Sequence, residues 1–213
     1  LAGLQNYEVL ETSEEWVLFH NCFSLCSRKV RICLKELSLK AKLIHIHILE
    51  TGDSENLSKN FLKINPKATV PVLLHHGKPI YESHEQIAFL EKFNSILSQS
   101  ETVNHWVKRG SLVREPNENH GQYAGNCVSI FTVPLFVTML ESISIFKFIG
   151  YLVRHPVRFR AFNFFLFKIL KYKVFKKGTP LSKITSSATE NLKIHFTTLN
   201  EHMNERTWID GDK

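Results

Sequence analysis

Residues 23–37 read FSLCSRKVRICLKEL, and the strand-like run WVLFH (16–20) comes just before them. Ser24 or Ser27 can cap a helix that starts here. Apolar residues then recur at intervals of three and four, the spacing of one helix face: Val30, Cys33, Leu34 and Leu37. The stretch therefore predicts a strand that passes directly into a helix, with Ser24 and Cys26 at the junction.

The chain that follows alternates between strand and helix patterns. LIHIHIL (43–49) alternates with a period of two and predicts a second strand, and SENLSKNFLKIN (54–65) has helical spacing. VPVLLHHGKPIY (70–81) consists of two apolar runs around Gly77, which predicts a hairpin. ESHEQIAFLEKF (82–93) is again helical. The predicted order is β-α-β-α-β-β-α, and right-handed crossovers place the first two strands parallel in one sheet.

These patterns divide the chain into four parts. We expect a polar tail over 1–15, an α/β domain over 16–94, a linker over 95–102 and an all-helical domain over 103–213. The chain begins with leucine and stops at TWIDGDK with no closing element. We therefore expect a fragment cut at both ends, with the helical domain incomplete.

Composition and charge limit which classes of function are expected for this chain. Hydrophobic residues make up 43% of the chain and charged residues 22%, which is typical of globular proteins. The net charge is +7, yet residues 142–189 contain ten Lys and Arg and no acid, so basicity belongs to one segment. Nucleic-acid binding by the whole surface is therefore not expected. The four cysteines show no disulfide or zinc spacing, which favours a reducing, cytoplasmic location. No apolar run reaches the length, about 18 residues, that spans a bilayer.

The start of the helix at Ser24 is suited to an anion. Its unpaired N–H groups and partial positive charge stabilise negative charge, and Arg28 and Lys29 add to that field. A thiolate held there has its pKa lowered from the usual value of about 8.5. The alternative is a serine-capped helix with buried cysteines. Cys22 and Cys33 are interpreted as packing residues.

Two later stretches favour a ligand site. NPKATVPVL (65–73) places Pro71 at the start of a strand, where proline is tolerated and a cis bond would be a specific feature. Such a bend turns the N–H and C=O of Val70 outward, where an extended peptide can pair with them. After the hairpin, Ser83 can cap the next helix, whose start can accept a ligand carboxylate.

Together, the strand, the Ser-x-Cys-Ser helix start, NPKATVPVL and the later Glu-Ser resemble the glutathione transferase superfamily over residues 16–93. The resemblance implies a thioredoxin-like domain that binds glutathione, a helical domain that holds a hydrophobic electrophile, and a homodimer. SLCSRKVR is most similar to the zeta class (maleylacetoacetate isomerase type) and to reductive dehalogenases, although the zeta pattern usually has a second serine where this chain has Leu25. TWIDGD (207–212) resembles the stretch before the family's buried capping-box helix.

The resemblance assigns catalytic roles at the helix start. Ser24 would donate a hydrogen bond to the glutathione sulfur and favour the thiolate; alternatively it is only a cap. Cys26 matches a cysteine that some relatives use to attack a mixed disulfide; alternatively it is a small buried hydrophobe.

The resemblance also assigns the glutathione-binding residues. Val70 and Pro71 would cradle the cysteinyl part, Glu82 would bind the γ-glutamyl ammonium group, and Ser83 the adjoining carboxylate. The alternative for Glu82 is a first-turn acid favoured by the helix dipole. No basic residue for the glycyl carboxylate can be selected from the sequence.

The histidines do not predict a metal site. His45 and His47 share a strand face, and His75 and His76 fall at the hairpin. No carboxylate or cysteine completes either set at the spacing of a zinc site. We therefore expect no metal.

Residues 146–177 are basic and aromatic, and His155-Pro156 predicts two helices there. Three cations would share one helix side: Arg160, Lys168 and Lys171. One interpretation is a surface helix attracted to anionic lipid. The one we favour is a helical domain whose lysines surround an aromatic electrophile pocket. No nucleic-acid module surrounds the segment.

The sequence predicts a glutathione transferase; the alternatives are a non-catalytic binding or membrane-associated module and a thiol-transferase or dehalogenase that uses Cys26.

Overall fold

The computed structural model describes residues 10–48, 53–93, 100–112 and 123–211. The chain forms two compact units, of which the first comprises Leu1–Ile96 with Met139–Leu166 and the second Leu97–Thr138 with Phe167–Lys213. Most of the expected polar tail and of the expected linker lies outside the described residues. The predicted domain boundaries stay a prediction.

The first unit contains a mixed sheet of four strands: β1 (Trp16–His20), β2 (Lys42–His45), β3 (Val72–His75) and β4 (Lys78–Ile80). Their order across the sheet is β2-β1-β3-β4, with β1 parallel to β2 and antiparallel to β3. Three helices accompany the strands: α1 (Leu25–Glu36), α2 (Lys59–Ile64) and α3 (Ser83–Leu90). The predicted β-α-β-α-β-β-α order is confirmed, as is the parallel pairing of the first two strands.

Both faces of the sheet are covered. Successive residues of β1 point to opposite faces. Trp16 and Leu18 pack against the buried side chains of α1 and α3, whereas Val17 packs on the other face with Phe61 of α2 and with Tyr81. Burial on both sides holds the strand ends in fixed positions, and these ends carry the predicted site residues.

Two elements are shorter than predicted. β2 ends at His45 because the Ile46 carbonyl accepts a hydrogen bond from the buried Asn21 Nδ2, at 3.0 Å, in place of a strand partner. The helix predicted over 54–65 divides into a 3-10 turn (Glu55–Leu57) and α2. The division occurs because Ser58 is extended and its hydroxyl caps α2 by accepting the Phe61 N–H.

The rest of the described chain is mainly helical, as predicted: α4 (Glu101–Arg109), α5 (Ala124–Phe131), α6 (Val133–Ser142), α7 (Ile145–Arg154), α8 (Arg158–Leu170) and α9 (Pro180–Met203). In the second unit, Cys127 and Ile130 of α5 are buried with Ala188 of α9. Trp106 of α4 contacts His195 of α9, with ring centroids 5.6 Å apart.

The chain break predicted at His155-Pro156 is confirmed, because α7 ends at Arg154 and α8 begins at Arg158. His155 is buried, and its Nδ1 accepts the Val157 N–H at 3.0 Å. α8 ends at Leu170, and Lys171 starts a separate 3-10 turn (Lys171–Phe175). Lys171 therefore does not share a helix side with Arg160 and Lys168, contrary to the prediction.

Residues Ala124–Ser142 form one helical stretch that is long and apolar enough to cross a membrane, by length and composition alone. The sequence-based expectation that no stretch reaches this length is therefore wrong. Less than half of the stretch is buried, and part of that burial is the packing of α5 on α9. The core helices of globular proteins pass the same test, so the stretch by itself is weak evidence for a membrane span.

Stability should depend on the charge of buried histidines. Among the described residues, partial or full burial is the main cause that lowers the pKa of four histidines: His20, His75, His155 and His195. A histidine whose pKa is lowered in the folded state binds its proton more readily when the chain is unfolded. We therefore expect the free energy of unfolding to be greatest above the unfolded-state pKa of about 6.5 and to fall as the pH drops below it.

Urea denaturation at about pH 7.5 and about pH 5.5 measures this difference. His155→Asn keeps an acceptor for the Val157 N–H and should reduce the pH dependence, whereas His105→Asn, at an exposed position, should not change it. A free energy of unfolding that is equal at the two pH values would contradict the prediction.

Candidate functional site

Three segments that adjoin the strands lie at the same end of the sheet. Phe19, near the end of β1, pairs with Val72, which starts β3, and Leu73 pairs with Ile80, which ends β4. The segment after β1, the turn before β3 and the segment after β4 therefore lie at one end of the sheet. These segments contain all the predicted site residues: Ser24, Cys26, Val70, Pro71, Glu82 and Ser83.

Ser24 is the N-cap of α1. Its Oγ accepts the Ser27 N–H at 3.2 Å, and its own N–H donates to the Asn21 carbonyl at 3.2 Å. The side chain is half-buried, and its hydroxyl proton has no acceptor among the described residues. The two interpretations of Ser24 are therefore compatible, because the oxygen caps the helix while the O–H donor is available to a ligand.

Asn21 fixes the segment between β1 and α1. It is fully buried, its Nδ2 donates to the Ile46 carbonyl, and its Oδ1 accepts the Phe23 N–H at 2.9 Å. These hydrogen bonds connect the segment between β1 and Ser24 to the residue that follows β2. No role was predicted for Asn21 from the sequence. An asparagine directly after a strand is the local signal, since its side chain often bonds the backbone two residues on.

The cysteines differ in exposure. Cys26 is half-buried at the second residue of α1, and Cys22 is exposed, so the interpretation of Cys22 as a packing residue is wrong. Cys33 packs partly buried against the core, where burial, and to a smaller extent Glu91, raises its pKa to about 11. Burial also raises the pKa of Cys127, which lies in the core between α5 and α9.

These differences predict an order of alkylation. At about pH 8 we expect iodoacetamide to modify Cys22 first and to leave Cys33 and Cys127 unmodified until urea unfolds the chain, because the thiolate is the reactive form. Peptide mass spectrometry identifies the modified sites. Modification of Cys33 at the rate of Cys22 in the folded protein would be the opposite result.

The Val70–Pro71 peptide bond is cis. The Val70 N–H and C=O make no hydrogen bond with the described residues, so this backbone pair is available to a ligand. The preceding turn is held by Asn65, whose Nδ2 donates to the Thr69 carbonyl at 2.9 Å and whose Oδ1 accepts the Lys67 N–H at 3.0 Å.

Gln86 joins two of the three segments. It is fully buried, and its Nε2 donates to the Pro71 carbonyl at 3.0 Å and to the Ile80 carbonyl at 2.8 Å. No role was predicted for Gln86 from the sequence either. Its position was the available signal, because Gln86 precedes the buried Leu90 by four residues and so lies on the inner face of α3.

The start of α3 differs from the prediction. The helix begins at Ser83 and the N-cap is Glu82, so Ser83 is not the cap. Ser83 is buried, and its hydroxyl makes no hydrogen bond with the described residues. Glu82 has a φ of 60°, a left-handed conformation that is costly for a residue other than glycine. Its Oε1 lies 3.6 Å from the Nζ of Lys67, and both side chains are partly exposed.

A cluster of three possible metal ligands lies at the opposite end of the sheet. One ligand atom each from Glu15, His75 and His76 lie within 4.8 Å of one another. The pairing of Trp16 with His75 brings Glu15 beside the hairpin, and the Glu15 carbonyl accepts the His76 N–H. The expectation that no carboxylate completes a histidine set is therefore wrong at this position, because the sheet register was not readable from local spacing.

The sequence of this chain is similar to known proteins over part of its length. Residues 23–92 match the family model described as the N-terminal domain of glutathione S-transferase. The glutathione S-transferase TCHQD of Arabidopsis thaliana is 26% identical over 98 residues, which are 43% of this chain and 36% of that relative. The matched region thus spans little more than a third of the relative's length.

Solved structures address the fold. The β-etherase LigF of Sphingobium sp. strain SYK-6 is 18% identical with a TM-score of 0.68, over 92% of this chain and 76% of that one. Apo glutathione S-transferase III is 14% identical with a TM-score of 0.52, over 94% and 74%. At these identities the likeness shows the fold alone, which confirms a thioredoxin-like domain followed by a helical domain. The similarity to the zeta class and to reductive dehalogenases stays a prediction. Over residues 23–92 the chain is therefore similar to the N-terminal domain of glutathione S-transferases, and its fold agrees with that similarity.

Proposed function

We propose that the chain binds glutathione at this end of the sheet and activates its thiol for transfer to a hydrophobic electrophile. One observation carries the proposal: at one end of the sheet, the Ser24 O–H and the backbone N–H and C=O of Val70 all lack a hydrogen-bond partner among the described residues. A cysteine-containing tripeptide requires a hydrogen-bond donor for its thiolate and a backbone N–H and C=O with which its own backbone can pair.

Thiolate activation follows from the start of α1. The helix has 12 residues, so its first N–H groups carry a substantial share of the macrodipole's positive charge, to which Arg28 and Lys29 add. A sulfur placed there accepts the Ser24 O–H, and the hydrogen bond favours the ionised form. A thiol that is already ionised needs no separate base, and binding beside the electrophile supplies proximity.

The peptide backbone of glutathione would pair with Val70. The cysteinyl N–H donates to the Val70 carbonyl, and the cysteinyl carbonyl accepts the Val70 N–H, as in an added strand. Gln86 holds the neighbouring Pro71 carbonyl, and Asn65 holds Thr69, so the turn is fixed before the ligand arrives. A fixed turn loses little conformational entropy when the ligand binds.

The γ-glutamyl end would bind at the start of α3. The Ser83 hydroxyl and the first N–H groups of the helix suit its carboxylate, and Glu82 suits its ammonium group. Lys67 now lies beside Glu82, and the ligand's ammonium group would take its place. The strained φ of Glu82 is consistent with a ligand-binding residue. A hydrophobic electrophile as the second substrate and a homodimer are proposed from the resemblance to the superfamily alone.

Calorimetric titration with glutathione, and in parallel with cysteinylglycine, tests this arrangement. We expect glutathione to bind in about the micromolar to millimolar range that is usual for enzyme substrates. Cysteinylglycine, which lacks the γ-glutamyl group, should bind at least about tenfold more weakly, since it loses a charged hydrogen bond. Turnover of an aryl halide is the accompanying assay. No binding of glutathione and no turnover would contradict the proposal and favour a non-catalytic module.

A second candidate is a thiol-transferase or dehalogenase reaction at Cys26. This cysteine is half-buried, forms no disulfide and lies in the first turn of α1, close to the N-cap Ser24. Its thiolate would attack the substrate-linked sulfur or the glutathionyl sulfur of a mixed disulfide and release the other partner as a thiolate. In that case Cys26→Ala abolishes activity and Ser24→Ala does not.

A further inference from the structure

Helices α7 and α8 carry an unusual number of exposed apolar side chains. Within the first unit these are Ile145, Phe146, Ile149, Val153, Phe159, Phe162 and Phe165, which we call the outer apolar surface. Phe146 is 84% exposed and Phe159 is 73% exposed. Single exposed apolar residues are common, but several on two consecutive helices indicate an interaction site.

The outer apolar surface is separate from the residues that pack inward. On α7, Phe146, Ile149 and Val153 recur at three and four residues and form one exposed stripe. The buried side chains of the same helix are Phe148 and Tyr151, and Tyr151 contacts Phe164 of α8 with ring centroids 5.7 Å apart. Helix α7 is thus apolar on two sides, whereas an ordinary surface helix is polar on its outer side.

Cations accompany the outer apolar surface. Arg154 Nε donates to the Gly150 carbonyl at 3.0 Å, and Arg158 Nη1 donates to the Leu152 carbonyl at 3.4 Å, so both charges are held at the end of α7. Arg154, Arg158 and Arg160 have no carboxylate partner among the described residues. Lys147 has one, Asp53, at 3.6 Å. Residues 142–189 contain ten Lys and Arg and no acid, so this segment has a net positive charge at neutral pH.

We propose that the outer apolar surface rests on a membrane that contains anionic lipid. Arginines would meet the phosphate and serine headgroups, and the phenylalanines would enter the boundary with the acyl chains. Helix α7 has 10 residues and α8 has 13, fewer than the roughly 20 that span a bilayer, so the helices lie in the plane of the interface. This inference does not depend on the glutathione site.

A second copy of the chain fits the surface less well. The commonest homodimer is twofold symmetric, and it would place this surface, where Asp53 is already paired with Lys147, against the same surface of its partner. Arg154, Arg158 and Arg160 would then face a partner surface whose helices α7 and α8 carry cations and no acid. A layer of anionic headgroups over an apolar interior complements both the charges and the phenylalanines.

Co-sedimentation of the full chain with lipid vesicles tests the proposal. One set of vesicles is pure phosphatidylcholine, and the other contains about one quarter phosphatidylserine. We expect binding to the anionic vesicles that weakens as salt is added, and much weaker binding to the neutral ones. Phe146→Gln and Phe159→Gln should each reduce binding about tenfold, and Arg160→Gln about fivefold. Phe196→Gln, an exposed phenylalanine on α9, is the matched control and should bind like the parent.

Three results would overturn the proposal. The first is no binding to the anionic vesicles by a chain whose circular dichroism shows it to be folded. The second is equal loss of binding in Phe146→Gln and in the Phe196→Gln control. The third is a dimer that Phe146→Gln converts to a monomer in sedimentation equilibrium while vesicle binding is absent, which would assign the surface to a second copy of the chain.

Discussion

Ser24→Ala is expected to reduce the rate of glutathione conjugation about 10- to 100-fold. A hydrogen bond from a hydroxyl to an ionised group contributes about 1.5–3 kcal/mol, and each 1.4 kcal/mol is a factor of ten. The loss should occur mainly at neutral pH and shrink as the pH rises, because at high pH glutathione ionises without assistance. The measurement is kcat/KM for an aryl halide over a range of pH.

The substitution also removes the cap of α1, which costs about 0.5–2 kcal/mol of stability. Ser24→Asp separates the two effects, because the carboxylate accepts the Ser27 N–H but offers no donor to a thiolate. It should therefore fold like the parent and be as inactive as Ser24→Ala. Ser24→Thr keeps both functions of the hydroxyl and should retain most of the activity. Unchanged activity in Ser24→Ala, combined with an inactive Cys26→Ala, would transfer the chemistry to Cys26.

Gln86→Met is expected to lower the free energy of unfolding by about 2–4 kcal/mol and to weaken glutathione binding. The substitution nearly preserves the length of the side chain but removes the donor to the buried Pro71 and Ile80 carbonyls. Each buried carbonyl left without a partner costs about 1–3 kcal/mol. The turn before β3 loses a fixed point, so Val70 should become a less regular edge for the ligand.

Urea denaturation measures the loss of stability, and calorimetry measures glutathione affinity in the folded fraction. His84→Met, two residues earlier and partly exposed, is the matched control and should change stability by less than about 0.5 kcal/mol. A Gln86→Met variant as stable as this control would show that the hydrogen bonds from the Gln86 amide to the two carbonyls do not stabilise the fold.

Features set by local chemistry were predictable from the sequence. The Ser24 cap, the Gly77 hairpin and the break at His155-Pro156 all follow from residue types that fix or free the backbone locally. The hairpin turn has positive φ at both His76 and Gly77, the conformation favoured in two-residue hairpins.

Features set by distant residues were not predictable. β2 ends early because Asn21, 25 residues away, binds the Ile46 carbonyl. Gln86 reaches the Pro71 carbonyl across 15 residues, and Glu15 meets His75 only through the pairing of β1 with β3. The start of α3 was misplaced by one residue, since the left-handed backbone of Glu82 has no signature in its residue type.

Ultraviolet titration of the thiolate of bound glutathione tests the central claim most directly. We expect the pKa of the bound thiol to lie at least about one unit below its value in free solution, and to return towards that value in Ser24→Ala. A bound thiol that titrates like free glutathione in the parent protein, or a lowered pKa that is unchanged in Ser24→Ala, would contradict the account.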